Sequence, residues 1–201
     1  MNKIVVFTGA GVSKDSGVPT FEDLGDLRQK LSRRYFNENP EDFYKILKKL
    51  DDTAKKAEPN PAHIAIAKYN IPVITMNIDS LHKRAGSTNV IEIHGNLEYV
   101  YCPKCRKKYD IEIAYKNIYS KCCSEVLNPN VVLYGDMIPK YTEALELVTN
   151  TEMLLVIGTS FYTSTATDLV GWAKRAGAKI EIINQNAKEL VPKFLRDFFN
   201  K

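Results

Sequence analysis

The chain has 201 residues, 44% of them apolar and 26% charged, which is the balance of a folded globular domain and excludes disordered, collagen-like and coiled-coil classes. A chain this long buries a sufficient core as one domain with room for a small insertion, without disulfides or a partner subunit. Its formal net charge of +4 comes from basic residues interspersed with acidic ones, so direct nucleic-acid binding is not expected.

No apolar run exceeds strand length and no basic-then-apolar leader opens the sequence. Neither a membrane span nor an export signal is expected, and the expected location is the cytoplasm. Short apolar runs alternate with segments of helical period, the pattern of βαβ units on a parallel sheet. In chain order, strands are expected at Lys3–Thr8, Ile71–Met76, Asn130–Tyr134, Met153–Ile157 and Lys179–Ile183. Asn39 can cap a helix with Pro40 at its first position, after which Phe43, Ile46, Leu47, Leu50 and Ala54 recur at helical spacing. Further helices are expected over Thr165–Ala176, ended by Gly177, and over Ala187–Phe199, where Pro192 disturbs the first turns.

Two stretches break the alternation. Residues 24–58 are charged, helical and free of strand signals, and residues 99–127 hold all four cysteines. The expected organisation is therefore a large part made of 1–23, 59–98 and 128–201, a helical insertion at 24–58 and a small metal-held module at 99–127. Cys102-Pro-Lys-Cys105 has ordinary zinc spacing, and in a chain without an export signal the clustering favours a metal knuckle over disulfides.

The run Phe7-Thr-Gly-Ala-Gly-Val-Ser-Lys-Asp-Ser-Gly17 follows the first strand. Small residues there let backbone N–H groups approach a diphosphate at a helix N-terminus. A plain dinucleotide fingerprint would have glycine in place of Lys14 and an acidic residue ending a second strand, so a tight strand-to-helix turn without ligand explains the glycines equally well. Thr75-Met-Asn-Ile-Asp-Ser-Leu-His82 at a second strand end, Glu92-Ile-His-Gly95, Gly158-Thr-Ser160 at a third and Asn184 at a fourth converge on the face where open α/β sheets bind ligands. Packing alone does not account for small, amide and hydroxyl residues at four strand ends.

Those segments, with Gly9–Phe21, Pro59-Asn-Pro-Ala-His63, Ala85-Gly86 and Val131-Val-Leu-Tyr-Gly-Asp136, resemble the sirtuins, NAD-dependent protein deacylases, along nearly the whole chain. The resemblance implies a Rossmann-like parallel sheet with a helical insertion and a small zinc-binding module. It implies that the acyl oxygen of a modified lysine attacks the nicotinamide ribose, that nicotinamide leaves and that the acyl group passes to ADP-ribose. His94 matches the base that deprotonates a ribose hydroxyl, a task suited to an ordinary pKa near 6.5. Asn77 and Asp79 match the residues that orient nicotinamide and its ribose and join His94 as the implied catalytic set. NAD contacts are implied at Gly9, Ala10, Gly11, Ser13, Pro19, Phe21, Asn77, Asp79, Gly158, Thr159, Ser160 and Asn184, and Val132, Tyr134 and Gly135 match the strand that pairs with an acylated-lysine peptide. His63 reads as a core or supporting histidine and His82 as a structural one.

Several positions depart from the family pattern. Glu22 stands where an arginine is usual, Met76 where a glutamine precedes Asn77 and Thr165 where proline is usual, and the chain runs almost directly from Asn184 into its last helix. They keep open an NAD hydrolase or ADP-ribosyl transferase, or a non-catalytic NAD-binding module. No Tyr-x-x-Arg pair follows the first motif, which favours simple apolar acyl groups over dicarboxylic ones. In the second cysteine pair Ser120 holds the place of the family's third ligand, so Cys122 beside Cys123 would have to complete a four-thiolate site with Cys102 and Cys105, the main variant being three cysteines with another group.

Overall fold

The computed structural model describes residues 2–20, 22–161 and 163–200. In chain order its strands are β1 (Val5–Thr8), β2 (Val73–Thr75), β3 (Val90–Glu92), β4 (Gly95–Tyr101), β5 (Lys108–Asp110), β6 (Asn128–Val131), β7 (Met153–Ile157) and β8 (Lys179–Ile183). Its α-helices are α1 (Arg33–Glu38), α2 (Pro40–Lys56), α3 (Pro61–Lys68), α4 (Leu81–Arg84), α5 (Ile111–Lys116), α6 (Tyr141–Thr149), α7 (Ser164–Arg175) and α8 (Ala187–Phe199).

Five strands form a parallel sheet in the order β3-β2-β1-β7-β8. Every residue of β1 is fully buried, as a central strand covered on both faces must be. One face packs Val6, Ile66, Val73, Leu155, Val191 and Leu195 under α3 and α8, and the other packs Val5, Phe7, Ile74, Leu154, Val148 and Leu169 under α6 and α7. Pro192 lies inside α8 without ending it. Its missing N–H costs one bond near the helix start, while buried Val191 and Leu195 on either side hold the helix to the core.

The smaller sheet is antiparallel, in the order β5-β4-β6. The strand expected at Asn130–Tyr134 belongs here as β6 and not to the parallel sheet. β6 is an edge strand, the position that tolerates Pro129. The parallel sheet instead takes β3, whose three residues are too short to show a period. α1 and α2 pack on this small sheet through Phe36, Phe43, Leu47, Leu97, Val100, Ile111 and Leu127, with the Phe36 and Phe43 rings edge to face at 5.1 Å. Truncating a core ring such as Phe43 costs about 3–5 kcal/mol. Asn39 precedes α2, but its side chain makes no capping bond, so Pro40 and acidic Glu41 and Asp42 in the first turn start the helix.

From β1 the chain moves outward to β2 and β3, then crosses back to β7 on the other side of β1. That reversal is a topological switch point, and such a sheet binds ligands beyond the carboxyl ends of its strands at this place. The register sets what stands there. Thr8 is level with Thr75 and Ile157, Thr75 with Glu92, and Ile157 with Ile183, so Gly9, Met76, Ile93, Gly158 and Asn184 share one edge.

Candidate active site

After β1 the chain forms a 3-10 helix, Ala10–Ser16, rather than the start of an α-helix, and Gly17 ends it at φ +83°. The loop before it interlocks with the loop after β7, main chain on main chain. Gly11 N–H donates to the Gly158 carbonyl at 2.8 Å and Gly9 N–H to that of Ile157 at 3.0 Å. A Cβ on Gly9 or Gly11 would stand 2.7 Å from Gly158, and one on Gly158, at φ +62°, would stand 2.2 Å from Val12 N. These glycines are therefore required by the fit of two loops, whatever binds beside them. Asn184 completes the clasp: its side-chain oxygen accepts from Thr159 N–H at 3.1 Å and its amide donates to the Thr159 carbonyl at 2.8 Å. Ala10 and Pro19 are partly exposed and Ser160 is exposed, whereas Phe21 lies outside the described residues.

A polar chain runs inward from Ser13. Asn60 N–H donates to His63 Nδ1 at 3.3 Å, which places the His63 proton on Nε2, 3.4 Å from Ser13 Oγ. Ser13 Oγ donates to Asp79 Oδ2 at 2.7 Å, and the Asn77 amide donates to Ser13 Oγ at 3.0 Å and to Asp79 Oδ2 at 3.2 Å. Leu81 N–H donates to Asp79 Oδ1 at 2.9 Å. Burial pushes the Asp79 carboxyl up against these donors. The Ser13 hydroxyl is thus fully engaged with His63, Asn77 and Asp79, and it orients Asp79. Sequence spacing signals His63 only as an apolar helix position, because its link to Ser13 spans fifty residues.

His94 follows β3, and its Nδ1 is 3.0 Å from the Met76 carbonyl. A carbonyl only accepts, so Nδ1 carries the proton and Nε2 keeps its lone pair. Burial lowers the His94 pKa below 6.5 despite that bond, so the ring is neutral at pH 7. Gly95, at φ +75°, makes the turn after it; a Cβ there would overlap the Asn130 carbonyl at 1.9 Å. The His94 carbonyl accepts from Val132 N–H at 2.9 Å, which joins this residue to the segment after β6. There Tyr134 N–H donates to the Leu31 carbonyl, and the Tyr134 carbonyl accepts from Arg33 N–H. The Val132 N–H and both main-chain groups of Tyr134 are thus engaged within the chain, and beyond them Met137 is exposed.

His82 is buried, with Nε2 3.0 Å from Thr8 Oγ1, and Thr8 donates onward to Thr75. It lies 4.7 Å from the His63 ring and braces the strand ends. Behind Asp79 lies a cavity of about 400 Å³ bordered by Ile78, Leu97 and Ile111.

The four cysteine sulfurs lie within 4.8 Å of one another. Zinc–thiolate bonds of about 2.3 Å in a tetrahedron need sulfurs a little under 4 Å apart, so the donor set fits zinc. Two copies of one turn present them. Arg106 N–H donates to the Cys102 carbonyl at 2.9 Å and Ser124 N–H to that of Ser120 at 3.0 Å. The fifth residue of each turn is left-handed, Arg106 at φ +63° and Ser124 at +56°. Ser120 therefore occupies the place that Cys102 has in the first turn, Cys123 the place of Cys105, and Cys122 brings its sulfur in from an intermediate position.

The chain matches the Sir2 family over residues 9–164. The chain belongs to that family. An NAD-dependent protein deacetylase of Bacillus cereus (strain ATCC 14579) is 37% identical over 199 residues, covering 91% of this chain and 81% of the relative. One from Thermotoga maritima is 37% identical over 198 residues, covering 90% and 80%. A solved structure of Sir2Tm bound to a propionylated peptide superposes with TM-score 0.88 at 31% identity, covering 98% of this chain and 94% of that one. Among the departures from the family pattern, this sirtuin leaves Glu22 exposed, buries Thr165 and packs Met76 against the α6–α7 core. The Thr163 hydroxyl lies 3.5 Å from the Met76 sulfur. Between β8 and α8 there are only Asn184, Gln185 and Asn186.

Proposed function

We propose that this protein is an NAD-dependent protein-lysine deacylase that moves the acyl group to ADP-ribose and releases nicotinamide, and that it works in the cytoplasm on acylated-lysine proteins or peptides. One observation carries the reading: His94 stands one strand from the Ser13–Asn77–Asp79 cluster with Nδ1 committed to Met76, so its free Nε2 is held neutral as a base.

NAD, when bound, supplies the ribose that accepts the acyl group and the nicotinamide that leaves. Gly9, Ala10, Gly11 and Pro19 line its diphosphate and adjoining ribose, and Gly158, Thr159 and Ser160 hold the adenosine side, with Asn184 fixing that loop. Asn77 and Asp79 orient the nicotinamide end, with Ser13 holding Asp79 in place. Nε2 of His94 takes the ribose hydroxyl proton. Gly135 offers its main chain to the peptide, while Val132 and Tyr134 shape the approach. Simple apolar acyl groups suit a site with no added cation. Cys102, Cys105, Cys122 and Cys123 hold zinc, whose closed thiolate shell gives it a structural role only.

The test is mass spectrometry of products from NAD and an acetyl-lysine peptide. Nicotinamide and acetyl-ADP-ribose should appear together, and His94→Ala should slow formation of the acetyl product by about 10²–10⁴ while NAD still binds. NAD loss that needs no peptide would replace the reading with an NAD hydrolase, and nucleotide binding without consumption would leave a binding module.

A further inference from the structure

The stretch proposed to receive the peptide does not support itself. Leu133–Asp136 is a tight turn closed by Asp136 N–H to the Leu133 carbonyl at 2.9 Å, with Gly135 at φ +95°. Leu133 is buried among the α1–α2 apolar side chains and anchors the start of the turn, whereas Gly135 has no side chain and Met137 beyond it is 89% exposed, so apolar burial does not fix the far end of the turn. What fixes it comes from the helical insertion. Arg33 at the start of α1 donates from Nε to Asp136 Oδ1 and from Nη2 to Asp136 Oδ2, both at 2.8 Å, and from Nη1 to Asn128 Oδ1 at 3.0 Å. The guanidinium also lies over the Phe36 ring at 4.9 Å. Two main-chain bonds run alongside, Arg33 N–H to the Tyr134 carbonyl at 2.9 Å and Tyr134 N–H to the Leu31 carbonyl at 3.2 Å. The other Asp136 oxygen contact is Leu133 N–H at 3.0 Å.

We infer that Arg33 is a positioning residue for the acylated peptide: by forking onto Asp136 and reaching Asn128 it holds the Leu133–Asp136 turn, and with it the Gly135–Met137 edge, in the shape that an extended peptide meets. The side chains of the pair are 27% and 20% exposed, so this is a half-buried, bidentate contact with fixed geometry rather than a loose surface pair. A lysine offers a point charge without the fork and cannot hold both Asp136 oxygens and Asn128 together. Burial works to raise the Asp136 carboxyl, but the Arg33 fork and the Leu133 N–H outweigh it, and the acid stays below its ordinary range. The pair therefore remains charged across the working range of pH. Arg33 belongs to an element with no part in the diphosphate loops or the His94 base, so its effect falls on peptide binding.

This inference rests on the deacylase reading and is separable from it. Steady-state kinetics on the zinc-loaded full chain, varying acetyl-lysine peptide and NAD independently, are compared for parent, Arg33→Gln, Arg33→Lys and Asn128→Ala. Arg33→Gln should raise the peptide KM at least tenfold with kcat and the KM for NAD within about twofold, Arg33→Lys should fall between it and the parent, and Asn128→Ala should have the smallest effect. If Arg33→Gln fails to fold, Asp136→Asn, which keeps the size of the side chain, is read the same way. A parent enzyme that makes no acetyl-ADP-ribose removes the deacylase reading itself. A parent that turns over, with Arg33→Gln or Asp136→Asn leaving the peptide KM within twofold or changing kcat and both KM values alike, overturns the clasp alone.

Discussion

Acidification should destabilise the protein through its buried histidines before most carboxylates titrate. His63 accepts from Asn60 N–H at Nδ1 and presents Nε2–H to Ser13. A second proton on Nδ1 would set two N–H donors against each other in the core, and burial brings the His63 pKa down to about 4. The unfolded chain keeps the ordinary value of 6.5 and so binds more protons below it. Stability is therefore complete above pH 7, falls as pH drops through 6.5 and levels out below the folded value. For those two values the loss at pH 5 is about 2 kcal/mol from His63 alone, or about 4–8 °C in melting temperature for a chain of this size. His82 acts in the same direction, because its Nδ1 has no hydrogen-bond partner among the described residues and burial holds its pKa well below 6.5. Urea unfolding at pH 7 and pH 5 should show the loss, and His63→Asn, though less stable at pH 7, should lose about 2 kcal/mol less over the same interval. Equal losses in parent and variant would refute the assignment of His63 as a neutral histidine held by Asn60 and Ser13.

In Gly158→Ala the new Cβ, 2.2 Å from Val12 N against an ordinary contact of 3.4 Å, forces the two loops about 1.2 Å apart; kcat/KM for deacylation should fall about 100-fold, and a change under twofold would show that the interlock does not shape the site. His94→Ala should keep NAD affinity while lowering kcat for deacylation by about 10²–10⁴, and because burial depresses the His94 pKa, the acid limb of the parent's pH profile should lie below 6.5; a limb centred above 7 would identify another base. Asn77→Ala removes a donor to the Asp79 carboxylate and should weaken NAD binding and turnover together by about 10- to 100-fold, as titration and kinetics will show. The purified protein should hold about one zinc per chain by metal analysis and lose stability on chelation. Exchanging Ser120→Cys with Cys122→Ser should preserve that zinc, since Ser120 stands where Cys102 stands in the paired turn; loss of metal in the exchanged protein would contradict the repeat.

Local sequence determined the strands at Met153–Ile157 and Lys179–Ile183 and the helix at Ala187–Phe199, because short apolar runs bounded by polar residues and an amphipathic period are properties of neighbouring residues. It also marked the glycine loops and the cysteine spacing, each a short motif whose chemistry lies in its own residue types, whereas His94 stood out only through the resemblance to a known family. Local sequence did not place β3, three residues long, or α6, and it put Asn130–Tyr134 in the wrong sheet, because the partner of a strand is chosen by packing over long separations. Only the tertiary structure decided that Ser13 orients Asp79, that Asn184 clasps Thr159, and that Arg33 reaches 103 residues along the chain to Asp136. Hydrogen bonds of this kind join residues that are adjacent only after the sheet has set its register, so no periodicity or spacing in the chain announces them.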